Sequence, residues 1–349
     1  MKKHPKSIDG LMRYLRDEKG IQISGSAQKR KLMNIGYYHG YKGYRYIRTP
    51  GRHVAYRNFD ELMAVYRFDT QLKGLFYPIV MEIETAFKNY VLEILIDKVH
   101  SENFQDVYYK ALDDYKRFAP DSETARKNKY DGSESSFKKA LKRRLDLRNR
   151  IYKIQTDAYA NENKIASHYL SQDKSLPIWA IFELLSLGEF GHFVSCLNME
   201  CRQAISGKLG IRRSDDTAAV MPQRLIYATK DLRNAVAHND VVFDTRFKKS
   251  RIAAPLSHVV SYATGVESLR FDTVTDYLVL LVYQMKMIHE SKTNMKKLVA
   301  GFEDIAGSFR RAVPTAIYRR VIYTEDDKKL EQLKRYISKS DIQLSDGRK

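Results

Sequence analysis

The apolar residues of this chain recur at intervals of three and four, which is the spacing that places side chains on one face of an α-helix. The strongest such stretch runs from Asp60 to about His100, with apolar residues at Leu72, Leu75, Phe76, Ile79, Ile83, Phe87, Val91 and Ile94. Pro78 falls within it and is expected to bend the helix or to divide it in two. Glu84 and Lys88 lie one turn apart and are expected to pair on the helix surface.

Shorter helices are predicted along the rest of the chain. Ser7 is expected to cap a helix that stops at Gly20, and Ser26 to cap a second that runs to about Gly36. The pattern predicts four more helices, over about residues 175–188, 222–239, 273–299 and 325–337. The chain is therefore predicted to have an all-α fold, with most of its residues in helices. The sequence shows no internal repeat and no low-complexity segment.

Residues 36–48 depart from this pattern, since their glycines and tyrosines favour a loop with a short strand. Tyrosine rings can stack on bases while Arg and Lys side chains hold phosphates, so this segment is one candidate RNA-binding surface. Its candidate contacts are Tyr41, Lys42, Tyr44 and Arg45. The alternative is a tyrosine-rich turn that packs on the helical core, because tyrosines in this spacing usually bury one side.

The chain is strongly basic, with 61 Lys and Arg against 42 Asp and Glu and a formal net charge of +19. Such an excess indicates a polyanionic partner, with nucleic acid as the leading candidate. The densest basic stretch follows a turn expected at Asp131-Gly132-Ser133 and contains Lys138, Lys139, Lys142, Arg143, Arg144 and Arg148. It is predicted to be a helical arm that follows RNA phosphates, or else a helix whose charges are merely solvated.

Composition excludes several other classes. Hydrophobic residues make up 43% of the chain, which argues against disorder. The longest clean apolar run, Tyr277 to Tyr283, is too short to span a membrane, and no secretory pattern follows Met1. Cys196 and Cys201 supply no disulfide framework, and nearby His192 alone cannot complete a zinc site with them. We therefore expect a cytoplasmic protein with no membrane association, no metal and no cofactor.

The candidate chemistry lies in the helix predicted over 222–239. Arg233 and His238 are five positions apart in the sequence, and Asn234 follows the arginine. A histidine can move a proton to or from a ribose 2′-hydroxyl near neutral pH, and an arginine can hold the phosphate and the charge that develops on it. This is the residue pair that a metal-free ribonuclease requires.

The spacing also predicts how this helix is oriented. Leu225, Leu232 and Val236 point in nearly one direction and form its core face. Asn234 and His238 share the opposite face, which suits a helix that lines a cleft or a subunit interface. The alternative is a surface histidine paired with a neighbouring aspartate, which needs no catalysis to explain it.

Four stretches, in this order, resemble the Abi-like abortive-infection family, specifically its AbiD/AbiF group of bacterial phage-defence proteins. They are Ile35-Gly36-Tyr37-Tyr38 with Tyr41-Lys42-Gly43-Tyr44; Tyr66 to Leu72 with Met81 to Glu84 and Lys88; Leu176-Pro177-Ile178-Trp179 with Leu185 to Phe190; and Leu232-Arg233-Asn234 with Ala237-His238. Together they span roughly residues 30 to 250.

The family is similar to HEPN proteins, which are helical bundles whose Arg-x4-6-His motif cleaves RNA. The resemblance implies that Arg233 and His238 are the catalytic pair and that Asn234 is the polar residue after the arginine. It also implies a homodimer, because HEPN sites usually combine two motifs, and a small structured RNA as partner. The expected architecture is an N-terminal region over 1–57, a HEPN-like core over 58–250 with a basic helical insertion at about 101–170, and C-terminal helices over 251–349.

Three positions depart from the family's pattern. Asn239 stands where a second histidine often follows the catalytic one, and Lys88 stands where an arginine is usual. Asp240 replaces the tyrosine that HEPN toxins use for control by nucleotidyl transfer, which argues against that form of control.

Two functions from different classes remain. The first is a phage-defence endoribonuclease that attacks through the 2′-hydroxyl, under the control of a small RNA or in complex with it. The second is a non-catalytic RNA-binding module or scaffold in which Arg233, Asn234 and His238 only grip phosphate. A DNA-binding regulator is disfavoured because no convincing helix-turn-helix is present.

Overall fold

The structure is a computed structural model and describes residues 6–118, 134–249 and 251–339. Over these residues the chain is helical, with short connections and a few isolated β-bridges but no β-strand. The predicted all-α fold class is therefore confirmed. None of the helices in this part of the chain combines the length and the apolar character needed to cross a membrane.

The α-helices are, in chain order, α1 (Ile8–Arg13), α2 (Gly25–Tyr37), α3 (Phe59–Val99), α4 (Phe104–Lys110), α5 (Glu134–Ala160), α6 (Lys164–Leu170), α7 (Ile178–Leu184), α8 (Leu187–Cys196), α9 (Met199–Lys208), α10 (Met221–Ala237), α11 (Ala254–Thr264), α12 (Val274–Met287), α13 (Lys292–Ala312), α14 (Thr315–Val321) and α15 (Thr324–Ser338). Short π-helical turns follow α1 and α2, at Tyr14–Glu18 and Tyr38–Lys42, and a 3₁₀ turn lies at Tyr115–Phe118.

The long helix α3 forms as one element of 41 residues, and Pro78 lies within it. Its predicted surface pair proves to be buried. Nζ of Lys88 lies 3.1 Å from Oε1 of Glu84. Glu84 is only 6% exposed and Lys88 only 9%. Nζ of Lys88 also donates to the carbonyl oxygen of Leu185 at 2.8 Å. The prediction was wrong about exposure because the spacing of a charged pair does not show which neighbours cover it.

By its contacts the chain divides into two compact units. The first comprises residues 1–81 and 231–349, and the second comprises residues 82–230. The helices α3 and α10 each contribute residues to both units, since the boundaries fall within them. The three regions expected from the sequence follow other boundaries and stay a prediction.

The first unit has its core around α12, whose residues are almost all buried. The helices α11, α13 and α15 pack against it. The rings of Phe68 on α3 and Phe309 on α13 stack with their centroids 4.5 Å apart. Because α12 is buried on nearly every side, it lies at the centre of this unit.

The second unit has its core at α7 and α8. Phe182 packs edge-to-face on Phe190 and Phe193, with ring centroids 5.3 and 5.1 Å apart. The basic helix α5 packs against α6, α7 and α8. The turn predicted at Asp131-Gly132-Ser133 lies outside the described residues.

Two predicted helices are each divided in two. Ser186 interrupts the one over 175–188 and forms a capping box with Glu189, whose carboxylate accepts from the Ser186 N–H at 2.9 Å. Ser291 interrupts the one over 273–299 and accepts from the Asn294 N–H at 3.1 Å. A serine that satisfies free N–H groups starts a new helix, so apolar spacing alone extends such helices too far.

The tyrosine-rich segment is helical as far as Lys42, not a loop with a strand. Its only β feature among the described residues is an isolated bridge between Tyr46 and His53. Gly36 supplies the kink within α2, with φ at 68°, a conformation that glycine adopts without strain. The N-cap residue of α2 is Ser24, and not Ser26 as predicted.

Candidate active site

The helix α10 has the predicted apolar face and, opposite it, the predicted polar face. Leu225 and Leu232 are fully buried and Val236 nearly so. On the other side Asn234 is half-buried and His238 is exposed. The helix thus packs through its apolar face and leaves the polar residues of the motif within reach of solvent.

The backbone fixes where His238 leaves this helix. Its N–H donates to the carbonyl oxygen of Asn234 at 2.9 Å, which completes the last helical turn. Asn239 then adopts φ of 57°, and the N–H of Asp240 donates back to the carbonyl oxygen of Ala235 at 2.8 Å. This is a Schellman ending, in which a residue in the left-handed conformation stops the helix. His238 is therefore the last residue before the chain turns away.

The arginine of the motif lies beside the asparagine. Nη1 of Arg233 donates to Oδ1 of Asn234 across 3.5 Å, a long hydrogen bond. Arg233 is half-buried. The guanidinium therefore lies on the side of the helix that carries Asn234, one turn before His238. A cation and an imidazole on one helix end can together hold a phosphodiester and transfer a proton.

A buried ion pair on α3 holds the chain that follows the motif. Nζ of Lys73 is 2.7 Å from Oδ2 of Asp69 and donates to Oδ1 of Asn239 at 2.8 Å. Oδ1 of Asp69 accepts from the N–H groups of Val242 and Phe243 at 2.7 and 2.8 Å. Asp69 is fully buried, and these bonds compensate its charge. Asp69 lies in the stretch Tyr66 to Leu72 that carries the family resemblance, but neither it nor Lys73 was predicted as a site residue, although their i,i+4 spacing on a helix was a usable signal.

The tyrosine-rich segment belongs to the same network. The hydroxyl of Tyr44 donates to Oδ2 of Asp69 at 2.8 Å, and its side chain is 0% exposed. Burial, followed by the charge of Asp69, raises the pKa of Tyr44 far above its ordinary value. Tyr41 is also buried, while Lys42 is exposed and Arg45 half-buried. Neither buried ring is open for stacking on a base, which favours the packing alternative for these tyrosines.

His39 is a further residue that sequence reasoning did not single out. Its ring lies 6.4 Å from that of Tyr44 and 6.1 Å from that of Tyr66, measured between centroids. Burial and the positive charge of Lys73 lower the pKa of His39. This keeps the imidazole neutral beside the network that ends at Asn239.

The basic helix α5 places its charges in two different environments. Lys138, Lys139, Lys142 and Arg143 are exposed, and Arg148 is half-buried. Arg144 is only 7% exposed and donates to the carbonyl oxygens of Tyr108 and Asp113 at 2.7 and 2.8 Å. Its guanidinium also lies 4.7 Å from the ring centroid of Tyr108. Arg144 therefore ties α5 to the preceding chain and presents no free face to a phosphate.

Both cysteines are buried free thiols. Burial raises the pKa of Cys196 and raises that of Cys201 to about 11, so both are protonated at neutral pH. Within the described residues, His, Cys, Asp and Glu side chains form no group of three or more that could hold a metal ion.

The fold and this site define an all-α protein that carries an arginine, an asparagine and a histidine at the end of one helix. Residues 30–244, more than half of the chain, match the family described as Abi-like protein, and the chain belongs to that family. Membership indicates abortive infection, a form of phage defence, as the process in which it takes part. Comparison with curated proteins and with solved structures found no significant match.

Proposed function

We propose that this Abi-like protein is an endoribonuclease of the HEPN type that cleaves RNA without a metal ion during phage defence. The observation that carries the proposal is the placement of Arg233, Asn234 and His238 on the solvent-accessible side of one helix end. The buried ion pair of Asp69 and Lys73 supports it, because it fixes the chain just after His238.

In the proposed reaction His238 acts as general base and takes the proton of a ribose 2′-hydroxyl. The 2′-oxygen attacks the adjacent phosphorus, and Arg233 stabilises the negative charge of the pentacoordinate phosphate. The bond to the 5′-oxygen breaks, and a general acid protonates this leaving group. The products are a 2′,3′-cyclic phosphate and a free 5′-hydroxyl.

The reaction needs one base and one acid, while each chain supplies one motif histidine. We therefore propose a homodimer in which the same Arg-Asn-His group of a second copy faces the first. Sedimentation of the purified protein measures this state directly, and a monomer that cleaves RNA at full rate contradicts it.

The test of cleavage uses RNA incubated with purified protein in EDTA. The wild type is expected to produce 2′,3′-cyclic phosphate ends. Arg233→Ala and His238→Ala are each expected to lose at least about a hundredfold in rate, as when an electrostatic stabiliser or a general base is removed. His258→Ala is the matched control, because His258 is exposed and lies on another helix. Equal cleavage by the wild type and both motif variants rejects the proposal.

We further propose that the protein binds a small structured RNA, which controls it or guides it. The net charge of +19 and the exposed residues Lys138, Lys139, Lys142 and Arg143 support this. Sequencing of the RNA that copurifies with the protein identifies the partner. Recovery of only random cellular fragments argues against a specific RNA.

The second candidate function is a non-catalytic RNA-binding module, which the same exposed lysines and Arg143 support. Growth distinguishes the two, because a nuclease expressed without its RNA should arrest cells and His238→Ala should not. Arrest that persists in this variant favours the binding module.

A further inference from the structure

In the second unit, two arginines of α5 lie close to one histidine of α8. Arg143 and Arg150 are seven residues apart, which places them on the same face of the helix two turns from each other. Both are exposed. Burial lowers the pKa of His192, and the charges of Arg150 and Arg143 lower it further. The lowered pKa favours the neutral imidazole.

Arg143 is held in place by its neighbours. Its Nη2 donates to Oγ of Ser195 at 2.8 Å and also to the carbonyl oxygen of this residue. Oγ of Ser195 in turn donates to the carbonyl oxygen of His192 at 2.6 Å. Because a guanidinium has five N–H donors, this anchoring leaves others for a ligand. A cation whose position is already fixed loses little conformational entropy on binding.

The helix α10 contributes Tyr227, on which the charges of Arg143 and Arg150 also act. A Cβ atom at Gly191 would lie 3.0 Å from Cε1 of Tyr227, a tight contact, so glycine at this position lets α8 come close to the tyrosine without a shift of the ring. Burial raises the pKa of Tyr227, while Arg143 and Arg150 act to lower it. Nζ of Lys230 lies 5.6 Å from the centroid of the Tyr227 ring.

The groups that face His192 carry an excess of positive charge. The charges that act on it are those of Arg143, Asp146 and Arg150 on α5. Arg143 and Arg150 also act on Tyr227 of α10. Cys196, on α8 itself, has its Sγ 3.9 Å from Nε2 of the imidazole. Asp146 is the one carboxylate among these groups, and Nζ of Lys142 lies 3.4 Å from its Oδ2. The neighbourhood therefore suits an anion that is a hydrogen-bond acceptor.

We propose that Arg143, Arg150, His192 and Tyr227 form a phosphate-binding site, and that its ligand is a backbone phosphate of the bound RNA. The second part rests on the proposed RNA binding, and neither part depends on cleavage. A guanidinium offers paired N–H donors that suit phosphate oxygens, and the tyrosine hydroxyl supplies a further donor. A bound phosphate also compensates the two cations, so His192 gains a proton on binding. The site should therefore hold phosphate more tightly at pH 6 than at pH 8.

The first experiment measures RNA affinity by fluorescence anisotropy, with His238→Ala as the background so that cleavage cannot interfere. Arg150→Gln is expected to weaken binding about fivefold at 0.15 M salt and to reduce the salt slope by about 1. Lys153→Gln is the matched control, since it removes the same charge from the same helix where Lys153 pairs with Asp157 at 2.9 Å. Equal affinities and slopes for the two variants overturn the assignment of an RNA phosphate.

The pH dependence separates His192 from the other histidines. RNA affinity is measured for His238→Ala and for the double variant His238→Ala/His192→Gln. The two affinities should be nearly equal at pH 8. At pH 6 the single variant should bind severalfold more tightly than the double variant. A ratio that does not change with pH overturns the role of His192. Circular dichroism of each variant verifies that the helices remain folded.

The second experiment titrates the full-length protein with inorganic phosphate and follows the imidazole resonances of isotopically labelled histidine. Phosphate should move the His192 resonance in the wild type but not in Arg143→Gln/Arg150→Gln. An unmoved resonance overturns the site itself, whether or not RNA binds. If the His192 resonance moves but RNA affinity is insensitive to Arg150→Gln, the site binds free phosphate. This outcome overturns the proposal that an RNA phosphate is its ligand.

Discussion

Nζ of Lys73 lies 2.8 Å from Oδ1 of Asn239, and the two residues are 166 positions apart in the sequence. Asn239 follows His238 directly and ends its helix in a left-handed conformation, with φ of 57°. An asparagine adopts this conformation more readily than most residues do, and its side chain here also accepts from Lys73. The departure from the family's frequent second histidine therefore has a structural reason.

Two substitutions at Asn239 separate these roles. Asn239→Gly keeps the left-handed conformation and removes only the acceptor, while Asn239→Ala removes both. We expect Asn239→Ala to have a free energy of unfolding about 1 kcal/mol lower than that of Asn239→Gly, since alanine is strained at positive φ. If the hydrogen bond positions His238, both variants should lose RNA cleavage to a similar degree.

Urea unfolding and a cleavage assay on the same preparations measure both quantities. Thr264→Ala, a substitution elsewhere in the first unit that also removes a buried side-chain hydrogen bond, controls for general loosening of the unit. Full cleavage by Asn239→Gly would show that the Lys73 contact does not position the histidine.

Arg144 should contribute to stability and not to RNA binding. Arg144→Gln removes donors to the carbonyl oxygens of Tyr108 and Asp113 and leaves these groups without this partner. The expected loss is about 3 kcal/mol in the free energy of unfolding, because hydrogen bonds from a charged group are involved. Lys142→Gln, two residues earlier and exposed, should leave stability within about 0.5 kcal/mol. Equal urea midpoints for the two variants contradict the structural role.

The exposed lysines of α5 should control the salt dependence of RNA binding. Lys138→Gln/Lys139→Gln is expected to lower the slope of log affinity against log salt by about 1.5, since each phosphate contact contributes roughly 0.7 to 0.9. Lys296→Gln/Lys297→Gln is the matched control, an adjacent exposed pair on α13. Identical slopes for both double variants would place the RNA elsewhere on the protein.

Asp326 should make stability depend on pH. Burial raises its pKa to about 6, and nearby Lys329 opposes this rise only in part. A carboxyl whose pKa is higher in the folded state stabilises the fold fully below pH 4 and loses this contribution as pH rises to about 6. The loss can reach about 3 kcal/mol, at 1.4 kcal/mol for each pH unit.

The measurement compares the wild type with Asp326→Asn by urea unfolding at pH 4, 5, 6 and 7. The free energy of the wild type minus that of the variant should fall over this range. Asp327→Asn makes the same change at the next, exposed residue. A difference that stays constant with pH for Asp326→Asn rules out the raised pKa.

Much of the fold could be predicted because helices follow from local spacing. The apolar stripe of α3 and the core face of α10 are both present in the structure, and Pro78 does not end α3. The breaks at Ser186 and Ser291 were also local, since each serine caps the helix that follows. Apolar periodicity alone does not show them, because it continues across the capping serine.

The sequence by itself determined the helical class, the family and the position of Arg233, Asn234 and His238 near the end of one helix. Only the tertiary structure decided which polar residues are buried. In the basic run Arg144 is buried while Lys142 is exposed. In the tyrosine-rich segment Tyr44 is buried while Lys42 is exposed. Burial depends on partners far away in the sequence, such as Asp69 for Tyr44. A charge or a ring shows its own chemistry in the sequence, but whether it meets solvent is decided by what packs against it.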